Sequence, residues 1–399
     1  MVRRNSEVEY VSQRSSRQRY RDSQDNVHKK LHSYYDYSLL FLTLLLCCFG
    51  LVMIYSSSSY PAQIKYGDSG YFMKKQLVAV VLGVIAMLMV STVDYHIQID
   101  KIPGIPVRLA WVCYIVAIVL QALVLVIGKE VNGAKRWIYI GPVSLQPSEI
   151  SKVAAIIFVS YLVSVMPKAL SRFAGFFAIM IYMAPLLGLI AKENLSTALV
   201  LFAIVVGICF VASPKKGYYF ITGFLAVGAV ALYVIFGDPF RMTRIKVWLN
   251  VETEPMGYQI LQGLYAVASG KLFGTGLGES MQKLGFIPEA HNDMIFSVIC
   301  EELGLFGACI VILLFMLLIW RLFVIAINAP DMFGGLLCTG ILVHVAVQVL
   351  INIAVVTNSI PSTGIPLPFV SYGGTSVAIL LAEIGLALGV SNRIRYERH

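Results

Sequence analysis

Charge is scarce in this chain. Asp, Glu, Lys and Arg together make up 13% of its 399 residues, and positions 38–56 carry none. A water-soluble enzyme covers its surface with charge, so that class is excluded. Cysteine offers no framework: Cys47, Cys48, Cys113, Cys209, Cys300, Cys309 and Cys338 all fall in apolar runs, without CxxC spacing or loop pairs. They read as small core residues, which argues against both disulfides and a thiolate metal site. The six histidines show no ligand spacing, and only His291 stands beside a candidate acid. No secretory signal is visible, since 37 polar residues precede the first apolar run; the first span is expected to stay as a membrane anchor.

Apolar residues are abundant instead, at 58% of the chain, with a mean hydropathy of +0.77. A helix needs about 20 apolar residues to cross about 30 Å of hydrocarbon. Ten segments qualify: 38–56, 76–93, 107–127, 150–166, 173–191, 197–212, 218–236, 294–327, 333–356 and 374–390. The pattern predicts an all-α polytopic membrane protein with about ten transmembrane helices. Its organisation is a disordered tail over 1–37, a membrane domain over 38–392 and a short tail over 393–399, with one large loop, 237–292, between spans 7 and 8. The eighth span is too long for one straight crossing and contains Glu301 and Glu302, so it should project from the bilayer or begin with a turn. An even number of spans puts both termini on one side. The Arg-rich first tail makes that side the cytoplasm, and the net charge of +9 is then distributed mainly inward. The large loop is accordingly extracytoplasmic.

Some basic residues nevertheless remain on the outer side, clustered as Lys135-Arg136-Trp137 and within Arg241-Met242-Thr243-Arg244-Ile245-Lys246-Val247-Trp248. These clusters suit lipid-headgroup anchoring. They suit equally a site for an anionic, lipid-linked phosphate, whose oxygens need such donors and charge. Electrostatics alone does not choose between the two.

Three outer segments have unusual composition. The large loop contains the glycine series Ser269 to Gly278, which permits either close approach to a ligand or ordinary turns. It ends in Pro288-Glu289-Ala290-His291-Asn292-Asp293. Asp293 sits where a carboxylate is wet enough to stay ionised yet close enough to the bilayer to meet a headgroup. Asn292 as a helix cap would favour its charged form; a first-turn structural acid is the competing reading. Ser297 and Glu301 follow at intervals of four on one helical face, which should turn into the bundle or a wet cavity. Lys152 lies well inside the fourth span, with Glu149 one turn away and Glu301 across the bundle as possible partners. The last outer segment, 357–375, has three prolines, three glycines and no charge. It cannot be regular helix, so it should be a re-entrant lining of a cavity.

Gly133-Ala134-Lys135-Arg136-Trp137-Ile138, then Gln146-Pro147-Ser148-Glu149 with Lys152, then Pro288 to Asp293, and finally Thr363 to Gly374 together resemble the signature of the SEDS proteins (shape, elongation, division and sporulation). Tyr71-Phe72-Met73-Lys74-Lys75-Gln76 and Ala290-His291-Asn292 are more similar to the FtsW and SpoVE branch than to RodA. The chain departs at Lys192-Glu193-Asn194, where the family commonly has Gln-Pro-Asp, so no role is carried to that loop. Lys271 replaces a common Gly, and Asn292 a common Thr.

The resemblance implies a peptidoglycan glycosyltransferase of the bacterial cell membrane that polymerises lipid II for septal cell-wall synthesis, in division or sporulation, and releases undecaprenyl diphosphate. It implies Asp293 as the catalytic residue and a class B penicillin-binding protein as partner, with other division membrane proteins. It also implies a divalent cation, Mg²⁺ or Mn²⁺, of unknown ligands. No organic cofactor and no nucleic acid are expected. Lys135, Arg136, Arg241, Arg244 and Lys246 are the candidate diphosphate binders. Glu149, Lys152, Glu289, His291, Ser297 and Glu301 are candidate supporting residues. A lipid II flippase, relying on Lys152 and Glu301, and a non-catalytic division scaffold are the rival functions.

Overall fold

The computed structural model describes residues 32–100, 107–131, 134–141, 143–219, 221–223, 228 and 239–396. Eight of its helices are long and apolar enough to cross a membrane. They are α1 (Tyr37–Tyr66), α2 (Tyr71–Thr92), α3 (Leu109–Ile127), α4 (Pro147–Val165), α5 (Phe173–Glu193), α6 (Leu195–Ala212), α9 (Ile295–Asn328) and α10 (Met332–Val356). The shorter apolar helix α11 (Thr375–Ser391) corresponds to the last expected span. Two helices, α7 (Pro239–Leu249) and α8 (Tyr258–Ser269), lie in the large loop. The seventh expected span, 218–236, falls mostly outside the described residues, as does most of the first tail.

Local chemistry sets the ends. Asp36 accepts from the Leu39 backbone N–H to start α1, Asn194 does the same for α6 through Thr197, and Asp331 for α10 through Gly334. Pro147 opens α4. Small residues then let the helices approach, as in other membrane bundles. A Cβ at Gly83 would come within 2.9 Å of the Ala378 backbone, and one at Gly385 within 2.6 Å of the Met87 carbonyl, so α2 and α11 meet backbone to backbone. On the opposite face of the bundle, β1 (His32–Ser33) pairs antiparallel with β5 (Arg395–Tyr396), which brings the two ends of the described chain together. Arg321 of α9 clamps Asp36 at the head of α1 with contacts of 2.7 to 3.2 Å.

The loop face is more ordered than the all-helical expectation allowed. Residues between α3 and α4 form a three-stranded antiparallel sheet, β2 (Lys129–Val131), β3 (Ala134–Ile140) and β4 (Val143–Leu145). Ala134 and Ile138 are buried, so the alternation of β3 turns Arg136 to the same inward side and Lys135 to the other.

The eighth span is broken within its length. At Gly304 the backbone takes φ 68° and ψ −170°, a conformation open to glycine, and α9 divides into two helical segments. The groups freed at the break are met by the loop after α8. Thr275 N–H donates to Glu301 O at 2.9 Å and Gly276 N–H to Glu302 O at 3.1 Å, while Leu305 and Phe306 donate back to Lys271 and Leu272. Gly270 and Gly274 permit this seam: a Cβ there would fall 1.9 Å from Cys300 O and 2.1 Å from Glu302 O. The glycine series is therefore packing against α9, and at these positions the phosphate-loop alternative does not hold.

Candidate catalytic site on the loop face

Asp293 lies in the turn immediately before α9. Met294 occupies the N-cap position without a side-chain cap bond, and Asn292 instead donates from Nδ2 to Glu289 Oε2 at 2.8 Å. The capping role offered for Asn292 is thus replaced by a brace on Glu289. Asp293 is held through its main chain: Asn352 of α10 donates from one Nδ2 both to the Asp293 carbonyl, at 2.8 Å, and to the Ile365 carbonyl, at 2.9 Å. Gly364 stands beside the carboxylate, and a Cβ there would lie 3.8 Å from Asp293 Oδ2.

Segment 357–374 forms the wall of this site without helix or strand. Side chains from other elements bind its backbone at several points. Arg244 Nη1 donates to Ser362 O at 3.0 Å, Trp248 Nε1 to Asn358 O at 2.9 Å, and Gln76 Oε1 accepts from Gly373 and Gly374 at 3.1 Å. The segment reaches deep into the bundle, where Phe369 and Val370 pass so close to Gly50 of α1 that a Cβ would meet backbone at 2.6 Å. The segment is irregular throughout, as its prolines and glycines predict.

Burial raises the pKa of the Asp293 carboxyl, and the Glu289 carboxylate pushes the same way; its own backbone N–H and the Arg244 guanidinium oppose them. Among the described residues, no ion pair reaches the Asp293 carboxylate. The site therefore holds a half-buried acid of raised basicity with positive charge nearby. Burial pushes the neighbouring His291 imidazole down to about 4, so it is neutral at pH 7.

Positive charge is assembled from two elements. Arg136 is desolvated, and its pKa is lowered first by that burial and then by Arg244, against the pull of Glu193. Two like charges that act on each other favour an anionic ligand beside them. Glu193, to which the sequence assigned nothing, fixes the pair's sheet side: its carbonyl accepts from Arg136 Nε at 3.0 Å and its carboxylate from the Lys135 backbone N–H at 2.8 Å. No local pattern connects residues 57 positions apart. Lys246 is exposed on α7, and the Arg241 side chain lies outside the described residues.

The remaining candidates do not join Asp293. Lys152, 1% exposed, pairs with Glu149 at 2.9 Å, the local partner of the two considered. Glu301 accepts from Ser280 Oγ and, at 3.0 Å, from the Met281 N–H. Its neighbour Glu302 binds Lys283 at 2.9 Å and Ser56 Oγ at 2.6 Å, a buried triad the sequence reading missed. Ser297 is buried against α8, with its Oγ 3.1 Å from where a Cβ on Gly263 would sit. Glu301 and Ser297 thus hold the loop to α9.

For a cation, no group of three His, Cys, Asp or Glu exists among the described residues. Glu289 and Asp293 are the two carboxylates at hand. Glu289 is the one a Mg²⁺-type ion could use beside a free Asp293, since such an ion takes one or two carboxylates and completes its shell with phosphate and water.

Comparison with known proteins gives a consistent answer. The family model of the FtsW, RodA and SpoVE cell cycle proteins matches residues 37–396. Stage V sporulation protein E of Bacillus subtilis is 39% identical over 370 residues, covering 90% of this chain and 98% of that protein. A probable peptidoglycan glycosyltransferase FtsW of Trichlorobacter lovleyi is 39% identical over 363 residues, covering 90% and 93%. Among solved structures, a chain of a peptidoglycan synthase complex that coordinates polymerization and crosslinking superposes with a TM-score of 0.75 at 26% identity, over 90% of this chain and 98% of that one. The rod shape determining protein RodA of Thermus thermophilus does so with a TM-score of 0.65 at 26% identity, over 90% and 97%.

Proposed function

Because the chain belongs to the FtsW/RodA/SpoVE family and is a multi-pass membrane peptidoglycan glycosyltransferase, we propose that it polymerises lipid II at the loop face, with Asp293 as general base. The observation that carries this reading is Asp293 itself: a half-buried carboxylate of raised pKa, held through its main chain by Asn352 and beside Arg244.

The acceptor 4-hydroxyl loses its proton to the Asp293 carboxylate as its oxygen attacks the anomeric carbon of the donor. The bond from that carbon to the diphosphate breaks, and undecaprenyl diphosphate leaves with the electron pair. One in-line displacement turns an α-linked donor into a β-linked product. A raised pKa strengthens Asp293 as a base while leaving it ionised above that value, and such a base contributes about 10²- to 10⁴-fold. A second, acid carboxylate is unnecessary, because the diphosphate is a good leaving group once its charge is compensated. Arg136 and Arg244 supply that compensation, with the exposed Lys246 at the periphery. A Mg²⁺ or Mn²⁺ ion would add charge there, with Glu289 the carboxylate left to hold it while Asp293 stays free as the base.

The loop face is the extracytoplasmic side, and both termini are cytoplasmic. This orientation puts the polyprenyl tails in lipid while their sugars meet above it. The strands pass to a class B penicillin-binding protein, a reading supported by the similarity to a chain of a synthase complex that polymerizes and crosslinks, and other division proteins complete the assembly. The flippase alternative relied on Lys152 and Glu301, and both are engaged in local contacts. The test is purified protein with lipid II and Mg²⁺, comparing wild type with Asp293→Asn. Wild type should yield strands and the variant at least about 100-fold fewer. No polymer from either would favour a transporter or scaffold, and wild-type rates from the variant would remove Asp293 as base.

A further inference from the structure

The outer tip of the α1–α2 hairpin carries a run of aromatic rings that the mechanism does not use. Tyr66 and Tyr71 stack with centroids 3.9 Å apart and planes 10° from parallel. Phe72 stands edge-on to Tyr71 at 5.3 Å and contacts the His291 ring at 4.3 Å. Tyr372 closes the row, 5.2 Å from Phe72 and 5.5 Å from His291, and donates its N–H to the His291 carbonyl at 2.9 Å. The rings thus form a continuous surface from a solvent-exposed tip to a residue two positions from Asp293. Tyr66 is 42% exposed, and Tyr71, Phe72 and Tyr372 are half-buried, so these four residues keep part of their surface open while His291 is buried.

Its edge is polar and cationic. Lys75 donates to Tyr71 OH at 2.6 Å and lies 4.4 Å from that ring's centroid, and Lys74 pairs with Asp68 at 2.8 Å. α1 has 30 residues, about 45 Å by helical rise against about 30 Å of hydrocarbon. A helix of that length reaches past the hydrocarbon, which puts its ends at the level of headgroups and of the sugars they carry. Apolar ring faces flanked by hydroxyls and ammonium groups match a pyranose chain, whose C–H faces stack on aromatics while its hydroxyl, amide and carboxylate groups meet the polar edge.

We propose that Tyr66, Tyr71, Phe72 and Tyr372 form a carbohydrate platform that binds the growing β-1,4-linked aminosugar strand next to the reacting centre. It rests on the glycosyltransferase reading and names the track along which that site's polymer lies. A strand held there stays in register between additions, so the platform sets how many sugars are joined before release.

The probe is a lipid-free tetramer of β-1,4-linked N-acetylglucosamine, titrated into the purified full-length protein in detergent and read by saturation-transfer NMR. Tyr66→Ala and Tyr71→Ala should each weaken binding roughly 5- to 10-fold, the size expected for losing one ring contact. Both should also shorten the strands made from lipid II. Tyr66→Phe and Tyr71→Phe keep the ring and should bind within about twofold of wild type, and thermal unfolding of all four variants separates lost binding from lost fold. Absence of tetramer binding by wild type, or unchanged binding and strand length in folded alanine variants, would overturn the platform. So would a tetramer-insensitive platform that instead responds to anionic phosphatidylglycerol vesicles or to a partner protein. Asp293→Asn keeps the two readings apart: it should bind the tetramer normally while making no strands. Polymer from that variant sinks the base assignment and leaves the platform intact.

Discussion

Asp293 and Glu302 lie nine positions apart around the start of α9, and their surroundings are opposite. Glu302 is buried and paired with Lys283 at 2.9 Å, with Ser56 supplying a further hydrogen bond. Asp293 receives no ion pair among the described residues, and burial raises its pKa. A buried carboxylate with a close counter-ion holds structure, here the seam between the large loop and the break at Gly304. A carboxylate fixed by its backbone but left without a short-range cation keeps its basicity for a substrate proton. The difference separates the acid that builds the site from the acid that works in it.

The largest break in this comparison comes from Lys283→Met. It strands the Glu302 carboxylate in the interior and should destabilise the protein by about 3–5 kcal/mol, the usual result of removing one partner of a buried pair. Adding Glu302→Gln should recover much of the loss, as read by the unfolding midpoint in detergent. A single variant as stable as wild type would show that the pair is not structural.

Arg244→Gln should act on the other centre, lowering kcat/KM roughly tenfold or more through lost diphosphate compensation, with a smaller change in unfolding. A purely structural Arg244 would reverse that ranking. Next is Gly364→Ala, whose φ of +70° costs a non-glycine residue about 1–2 kcal/mol. The strained backbone lies beside the Asp293 carboxylate, with the added methyl 3.8 Å from Oδ2, so activity should fall while the Glu302 region is unaffected.

The smallest effect has the opposite sign. Asp293 has a folded pKa above its unfolded value, so its ionisation costs stability, and that cost grows as pH rises through and beyond the unfolded pKa. Asp293→Asn should therefore unfold at the same or a slightly higher temperature than wild type at pH 7.5, and the gain should vanish near pH 3. A clear loss of stability at pH 7.5 would give Asp293 a structural role like that of Glu302.

Much of this arrangement is legible in the chain itself. Apolar runs mark the helices, the Pro- and Gly-rich segment 357–375 announces irregular backbone, and Lys152 finds its partner Glu149 three positions back. These signals are local. The contacts between Arg136 and Glu193, between Lys283, Glu302 and Ser56, and from Asn352 to Asp293 join segments brought together only by packing. Periodicity says which face of a helix is apolar, not which residue of another helix it meets. The glycine series from Ser269 shows the same limit, since close approach to α9 and close approach to a phosphate demand the same residue.

The central claim is that Asp293 must be ionised and that its neighbours set where this happens. The dependence of kcat/KM on pH tests it most directly, measured for wild type, Arg244→Gln and Glu289→Gln. The wild-type rate should rise with unit slope through an apparent pKa above that of an ordinary carboxylate. That limb should move to higher pH when the opposing cation is removed and to lower pH when the Glu289 charge is removed. A limb that stays in place in both variants would contradict Asp293 as the base.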